Sequence, residues 1–232
     1  MIRHTNLFLI LTISLSIFGS ASVKGQKPFG VAKVHFEQNA TDGDMEVIFE
    51  AIGGHEGLAK LTVVSPDGRT VIDFSAPESS TLGIRQFRFE SPEPGDVESL
   101  KSAYPEGVYT FAGATSGGDK FQGKSTLNHN LPATTNFVTP EEDAEDVAIN
   151  NLEITWTRVE NLAAYILYIE LDEPELGFTV RLPGSATKFT VPDGFLLPGK
   201  EYQLGIGTVT EDGNISFIET SFTTAEENFL NK

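Results

Sequence analysis

The sequence predicts an all-β protein: two tandem antiparallel β-sandwiches behind a cleaved signal peptide. Three observations carry this expectation. Apolar residues recur with period two along most of the chain, and sustained 3.6-residue periodicity is almost absent. Asp42-Gly43, Asp67-Gly68, Gly117-Gly118 and Asp212-Gly213 break the alternation where hairpins need tight turns. Of the 232 residues, about 207 remain once a leader is removed, enough for two cores of roughly 100 residues each.

The leader is read from the N-terminus. Arg3 and Thr5-Asn6 precede a charge-free segment from Leu7 to Phe18, followed by the small residues Gly19-Ser20-Ala21. This is the pattern of a secretory signal peptide, with cleavage after Ala21 or Gly25. The apolar segment covers only about 18 Å as a helix, short of the roughly 30 Å of a bilayer core, so a retained membrane span is not expected. The expected location is secreted, periplasmic or cell-surface, without a retained anchor. There is no cysteine, which rules out disulfides, thiolate metal sites and a lipid-modified cysteine. Stability must then come from burial, and the pattern fits a bacterial exported protein better than an animal matrix protein. The formal charge is −17, and losing Arg3 with the leader takes it to −18. So acidic a surface repels phosphate backbones and anionic headgroups, so nucleic acid is not an expected partner.

The first module, expected over residues 26–135, contains seven alternating segments: Val31 to Glu37, Met45 to Ala51, Leu58 to Ser65, Thr70 to Phe74, Ile84 to Glu90, Val108 to Ala114 and Phe121 to Leu127. One helical turn or two interrupts them. Asp96 caps it, Val97, Leu100 and Tyr104 form its apolar side, and Pro105-Glu106-Gly107 ends it as a crossover between strands. Pro105-Glu106-Gly107 followed by Val108-Tyr109-Thr110-Phe111 resembles the Pro-x-Gly-x-Tyr-x-Phe strand opening of bacterial immunoglobulin-like modules. That resemblance implies an immunoglobulin-like sandwich.

Between Leu131 and Pro140, two prolines and several threonines mark a short linker, not a flexible spacer. Phe137 to Pro140 reads as the first strand of the second module. The run Glu141 to Asp146 then falls in a loop near the junction, where five carboxylates in six residues read first as a solvated face. A weak calcium site is the alternative, although the run lacks the alternating ligands and turn glycine of a dedicated loop.

The second module, expected over 136–225 before a tail at 226–232, continues with Leu152 to Trp156, Tyr165 to Leu171, Phe178 to Leu182 and Phe189 to Val191. Tyr202 to Ile206 and Ile215 to Thr223 follow. Leu197-Pro198-Gly199-Lys200-Glu201-Tyr202, about 45 residues after Trp156, resembles the loop and tyrosine corner of fibronectin type III domains. The resemblance covers Phe137 to Thr224. It implies that Trp156 is a core residue of strand B, that the Tyr202 hydroxyl donates to nearby backbone, and that the module serves as a spacer or binding accessory. The Arg-Gly-Asp loop of integrin-binding members is absent, since the corresponding loop reads Thr210-Glu211-Asp212-Gly213-Asn214.

Three further motifs are set aside. Gly118 to Ser125 spells a phosphate-loop string, but Thr126 to Pro132 cannot form the helix whose N-terminus would hold the phosphates. Leu131-Pro132-Ala133-Thr134-Thr135 resembles a wall-anchoring pentapeptide placed between domains instead of near the C-terminus. Asn39-Ala40-Thr41 and Asn214-Ile215-Ser216 are glycosylation sequons at expected turns, where the acceptor would be accessible.

For catalysis the material is thin. Only His35, His55 and His129 follow the leader, no metalloprotease or nucleophile-elbow motif occurs, and the many carboxylates single out no pair. The expected function is therefore non-catalytic and cofactor-free. It is a binding or adhesion module for an extracellular polysaccharide or protein or, alternatively, a structural spacer or assembly subunit. Because most of the 17 phenylalanines occupy core-type strand positions, Tyr104 and Phe195 near turns are the aromatic candidates for ligand contact. Trp156 and Tyr202 are assigned structural roles.

Overall fold

Val34 and Phe36 on one strand and Val47, Phe49 and Ala51 on the next reach a common core only if the chain reverses between them. Gly43, at φ 87°, supplies the left-handed turn position that makes this possible. A computed structural model describes residues 25–76, 78, 82–93 and 95–226, and in it the expected alternation becomes two sandwiches. The leader and residues 227–232 of the tail lie outside the described residues.

In chain order the first module comprises β1 (Lys27–Pro28), β2 (Val31–Asn39), β3 (Asp44–Ile52), β4 (Lys60–Val64), β5 (Thr70–Ser75), β6 (Gln86–Glu90), α1 (Val97–Ala103), β7 (Gly107–Ala114) and β8 (Lys120–Leu127). One layer is β2-β3-β6 and the other is β5-β4-β7-β8, with β1 parallel to β8. Between them lie Phe36, Phe49, Leu61, Val63, Tyr109 and Phe111, all at 4% exposure or less. The expected helix is present: the Asp96 carboxylate accepts from the Glu98 N–H and Leu100 plugs into the core. The phosphate-loop string lies in the β7–β8 hairpin and runs into a strand, not a helix.

The second module comprises β9 (Phe137–Thr139), β10 (Ala144–Val147), β11 (Glu153–Trp156), β12 (Ala164–Leu171), β13 (Leu176–Pro183), β14 (Lys188–Thr190), β15 (Glu201–Val209) and β16 (Ile215–Thr224). Its layers, β14-β11-β9 and β13-β12-β15-β16, repeat the three-plus-four arrangement of the first module. The acidic run corrects the expected loop. Its last three residues belong to β10, which pairs parallel with β16 because Ala144 and Val147 turn inward against the core there.

The modules are not separate beads. The outer edge of β16 is shared: its C-terminal part takes β10 and its N-terminal part takes β2, parallel, with Ile215 opposite Glu37, Ser216 opposite Gln38 and Phe217 opposite Asn39. The order β13-β12-β15-β16-β2-β3-β6 is therefore one sheet running through both modules.

Side chains extend this seam where main-chain pairing stops. Asn214, 1% exposed, accepts from the Phe36 N–H through Oδ1 at 2.9 Å. Its Nδ2 is shared among Asn128 O, Asn128 Oδ1 and Asn130 O. Further along the same edge of β2, within the first module, Ser125 Oγ accepts from the Val34 N–H at 3.0 Å. The linker carbonyls of Pro132 and Ala133 accept from the Ser216 and Thr208 hydroxyls at 2.8 and 2.9 Å. The linker is thus strapped to the second module group by group, as buried backbone requires.

This geometry overturns the expected accessibility of the Asn214 sequon, because that side chain is walled in by the seam. Glycan attachment to the folded protein is expected to be absent at Asn214, and peptide mapping of material from a glycosylating host checks it. Among the described residues no helix is long and apolar enough to cross a membrane.

Candidate functional site at the seam between the modules

In a strand, successive side chains take opposite faces, so one face of the continuous sheet is assembled by register alone. Opposite the two cores, rows of side chains cross from the second module into the first. Ile166, Gly207, Phe217, Asn39 and Asp44 form one row, and Ala164, Val209, Ile215, Glu37 and Glu46 form the next. Tyr168, Gly205 and Glu219 make a shorter third. The second module contributes apolar groups, with Ala164, Val209 and Ile215 buried under Ile166 and Phe217. Amides and all the carboxylates but that of Glu219 come from the first.

Two glycines shape this face. A Cβ at Gly205 would fall 2.1 Å from the Tyr168 ring, and one at Gly207 would fall 2.7 Å from the Phe217 ring. Both rings therefore lie down over bare backbone, which any side chain at those positions would prevent. Their centroids are 6.1 Å apart and their planes are inclined at 57°.

Beside the rings is a cleft of about 320 Å³. Gln38 and Asn39 line it together with the rings. Six carboxylates complete the lining, those of Glu37, Asp42, Asp44, Glu46, Glu93 and Glu219, and none of the lining residues is basic. Glu219 ties the modules together, since its carboxylate accepts from the Tyr168 hydroxyl and, at 2.8 Å, from Asn39 Nδ2. Thr41 Oγ1 accepts from the Glu219 N–H at 2.8 Å, and Gln38 Nε2 donates to Ser216 Oγ at 2.8 Å.

Burial and crowding of like charges both favour the protonated forms of carboxyls here. Burial pushes the Glu46 carboxyl up to about 7, and the Glu90 and Glu37 charges push the same way. The Asp44 charge raises Glu93. Burial and the bond to Glu219 raise the Tyr168 phenol, so it stays a neutral donor. Just beyond the cleft, His35 is 1% exposed, with Nε2 at 3.3 Å from a Glu37 oxygen and no hydrogen-bond partner for Nδ1 among the described residues.

A pH dependence follows. Glu46 binds its proton more tightly folded, near pH 7, than unfolded, near pH 4.5. Its stabilising contribution is therefore full at and below about pH 4.5 and is lost as pH rises towards 7 and beyond. Because the group is partly exposed, the loss is reduced by solvent to roughly 1 kcal/mol. Glu46→Gln, which copies the protonated form, is expected to raise the melting temperature at pH 8 and to flatten its change between pH 5 and 8. A steeper pH trend in that variant would contradict the assignment.

Other concavities are less composed. One of about 560 Å³ is lined by residues 170–179 of the single β12–β13 hairpin. Another, of about 480 Å³, involves the His55 loop and Phe121. Among the described residues no three histidine, aspartate or glutamate side chains converge to hold a metal ion, including within Glu141 to Asp146.

No family model matches the sequence. Among solved structures, the chain is similar to a segment of two fibronectin type III domains from chicken tenascin, with 16% identity over 85% of this chain and 100% of that one, and a TM-score of 0.33. It is also similar to the fibronectin(III)-like modules of Clostridium thermocellum CbhA, with 11% identity over 88% and 95% and a TM-score of 0.36. For the FN1–FN3 domains of chicken CNTN1 the values are 13%, 86%, 66% and 0.32. The strand order and registers above, not these likenesses, carry the assignment of two sandwiches.

The residues singled out from sequence fall elsewhere. Trp156 is in β11, 3% exposed, with its indole N–H donating to Ala186 O at 3.1 Å and its ring 5.4 Å from Tyr165. Tyr202 is fully buried and stacks on Phe222. Its hydroxyl corrects the expected direction: it accepts from the Leu197 N–H at 2.8 Å, because the loop turns an amide, not a carbonyl, towards it. The first module has a matching corner, where the buried Tyr109 hydroxyl donates to Pro105 O at 3.1 Å. Pro105 and Gly107 ahead of Tyr109 were its signal, parallel to Pro198 and Gly199 ahead of Tyr202. Tyr104 and Phe195 are half-buried on two different cores, Tyr104 5.8 Å from Phe49 and Phe195 4.8 Å from Phe178. They are not brought together, and neither lines the seam cleft.

Proposed function

We propose that this is an exported, non-catalytic binding module that recognises an extracellular polysaccharide or protein through the cleft at its inter-module seam. The observation that supports this is the pair of rings laid flat over Gly205 and Gly207 beside polar groups from the other module. Core aromatics need no such glycine-backed floor. On an outer face, flat rings next to hydrogen-bonding groups are the usual equipment of a recognition surface. In this reading Tyr104 and Phe195 serve packing. Alanine at either lowers stability by about 1–2 kcal/mol and leaves ligand capture unchanged.

The test is capture of the purified protein by insoluble polysaccharides, cell-wall fractions and matrix proteins, with and without calcium, comparing the parent with Phe217→Ala. Loss of capture in the variant supports the seam as the site. Undiminished capture in Phe217→Ala, with loss in a Tyr104 or Phe195 variant, would move the site away from it. A second reading, a structural spacer, is favoured by the rigid seam itself, which holds two modules in one sheet. Failure of every matrix to retain the parent would leave that reading.

A further inference from the structure

Tyr168 and Phe217 each have one ring face against glycine backbone, and both rings line the seam cleft. A ring face of this kind offers an apolar, weakly negative surface that attracts the polarised C–H groups of a flat ligand. The inclination of 57° between the rings sets them against successive units of a chain, not against one broad plate. The rows that carry them cross five strands from β12 to β3, about 19 Å at a strand spacing of about 4.8 Å, so the face is long enough for a short polymer segment. Along that path the apolar half gives way to groups that mostly accept hydrogen bonds.

We propose that this face binds an uncharged polysaccharide laid across the strands of both modules, with Tyr168 and Phe217 stacking on sugar rings and Asn39, Glu37 and Glu219 meeting their hydroxyls. The inference rests on the seam being the binding surface. Sugar hydroxyls supply the donors that a carboxylate-rich lining requires, and the absence of any basic lining residue excludes uronate- or sulfate-bearing chains by repulsion. The raised titration of Glu46 fits the same ligand, because a carboxyl that holds its proton near neutrality both donates to and accepts from a hydroxyl. A cationic segment would instead call for fully ionised partners.

The experiment is affinity electrophoresis of the intact protein through gels containing hydroxyethylcellulose, mixed-linkage β-glucan, galactomannan or polygalacturonate, with polylysine competition as a separate arm. Amide shift mapping then uses soluble oligosaccharides of whichever polymer retards the protein. Retardation by at least one uncharged polymer is expected, with none by polygalacturonate and an affinity loss of about tenfold or more for Phe217→Ala. In the unmutated protein, shifts are expected on both sides of the seam, at Gly205, Phe217 and Asn39, which keeps the test valid if a variant folds poorly. No retardation by any uncharged polymer, retardation abolished by polylysine alone, or shifts confined to one module would overturn the inference. Capture of a matrix protein through the seam without any glycan sinks this inference and spares the binding-module reading, whereas capture of nothing sinks both.

Discussion

Replacing Asn214 with alanine is expected to destabilise the protein by roughly 3 kcal/mol or more and to uncouple its two modules. The side chain accepts from the Phe36 N–H and serves the carbonyls of Asn128 and Asn130 from a position that is 1% exposed. Each buried group left without a partner costs about 1–3 kcal/mol, and alanine strands several at once. The chain has one tryptophan, Trp156 in the second module. Its fluorescence reports that module alone, and far-ultraviolet circular dichroism reports both. In the parent the two denaturation curves are expected to coincide, and in Asn214→Ala to separate. Coincident curves with a stability change below about 1 kcal/mol would mean that the seam couples nothing.

Trp156→Ala is the second large effect, at about 3–5 kcal/mol. It removes a ring packed on Tyr165 and leaves the Ala186 carbonyl without its indole donor. The seam adds a consequence that an isolated domain would lack. When the second module unfolds, β2 loses its parallel partner and Phe36 its acceptor, so the first module is expected to lose amide-exchange protection along residues 36–39 as well. Full protection there in the variant would show that the first module stands independently of its neighbour.

What the sequence made legible was local. Period-two alternation located the strands, Asp-Gly pairs located the hairpins, and Asp96 with Leu100 located the helix. The seam was hidden because parallel pairing between strands 178 residues apart leaves no local mark: Asn214 reads as a sequon and only its partners reveal a buried bridge. The acidic run reads as a loop for a related reason, since its place in β10 depends on a free length of β16 that composition does not show. The cleft had a trace. Glycines at alternate positions 205 and 207 inside a strand are unfavourable without a reason, and Tyr168 and Phe217 are that reason. Phe217 itself looked like core because strand alternation says which residues share a face but not which face is covered.

The parallel seam also imposes an order of events on synthesis. The outer edge of β2 is made early, yet its partner β16 lies near the far end of the described chain. Domains fold as they emerge, so the first module must stand for most of the chain's production with an unsatisfied strand edge, the kind of surface on which chains pair with the wrong neighbour. The closing contact is among the most remote in the molecule, which makes it a late and slow step. Among the described strands, the first long one is held in place by the last.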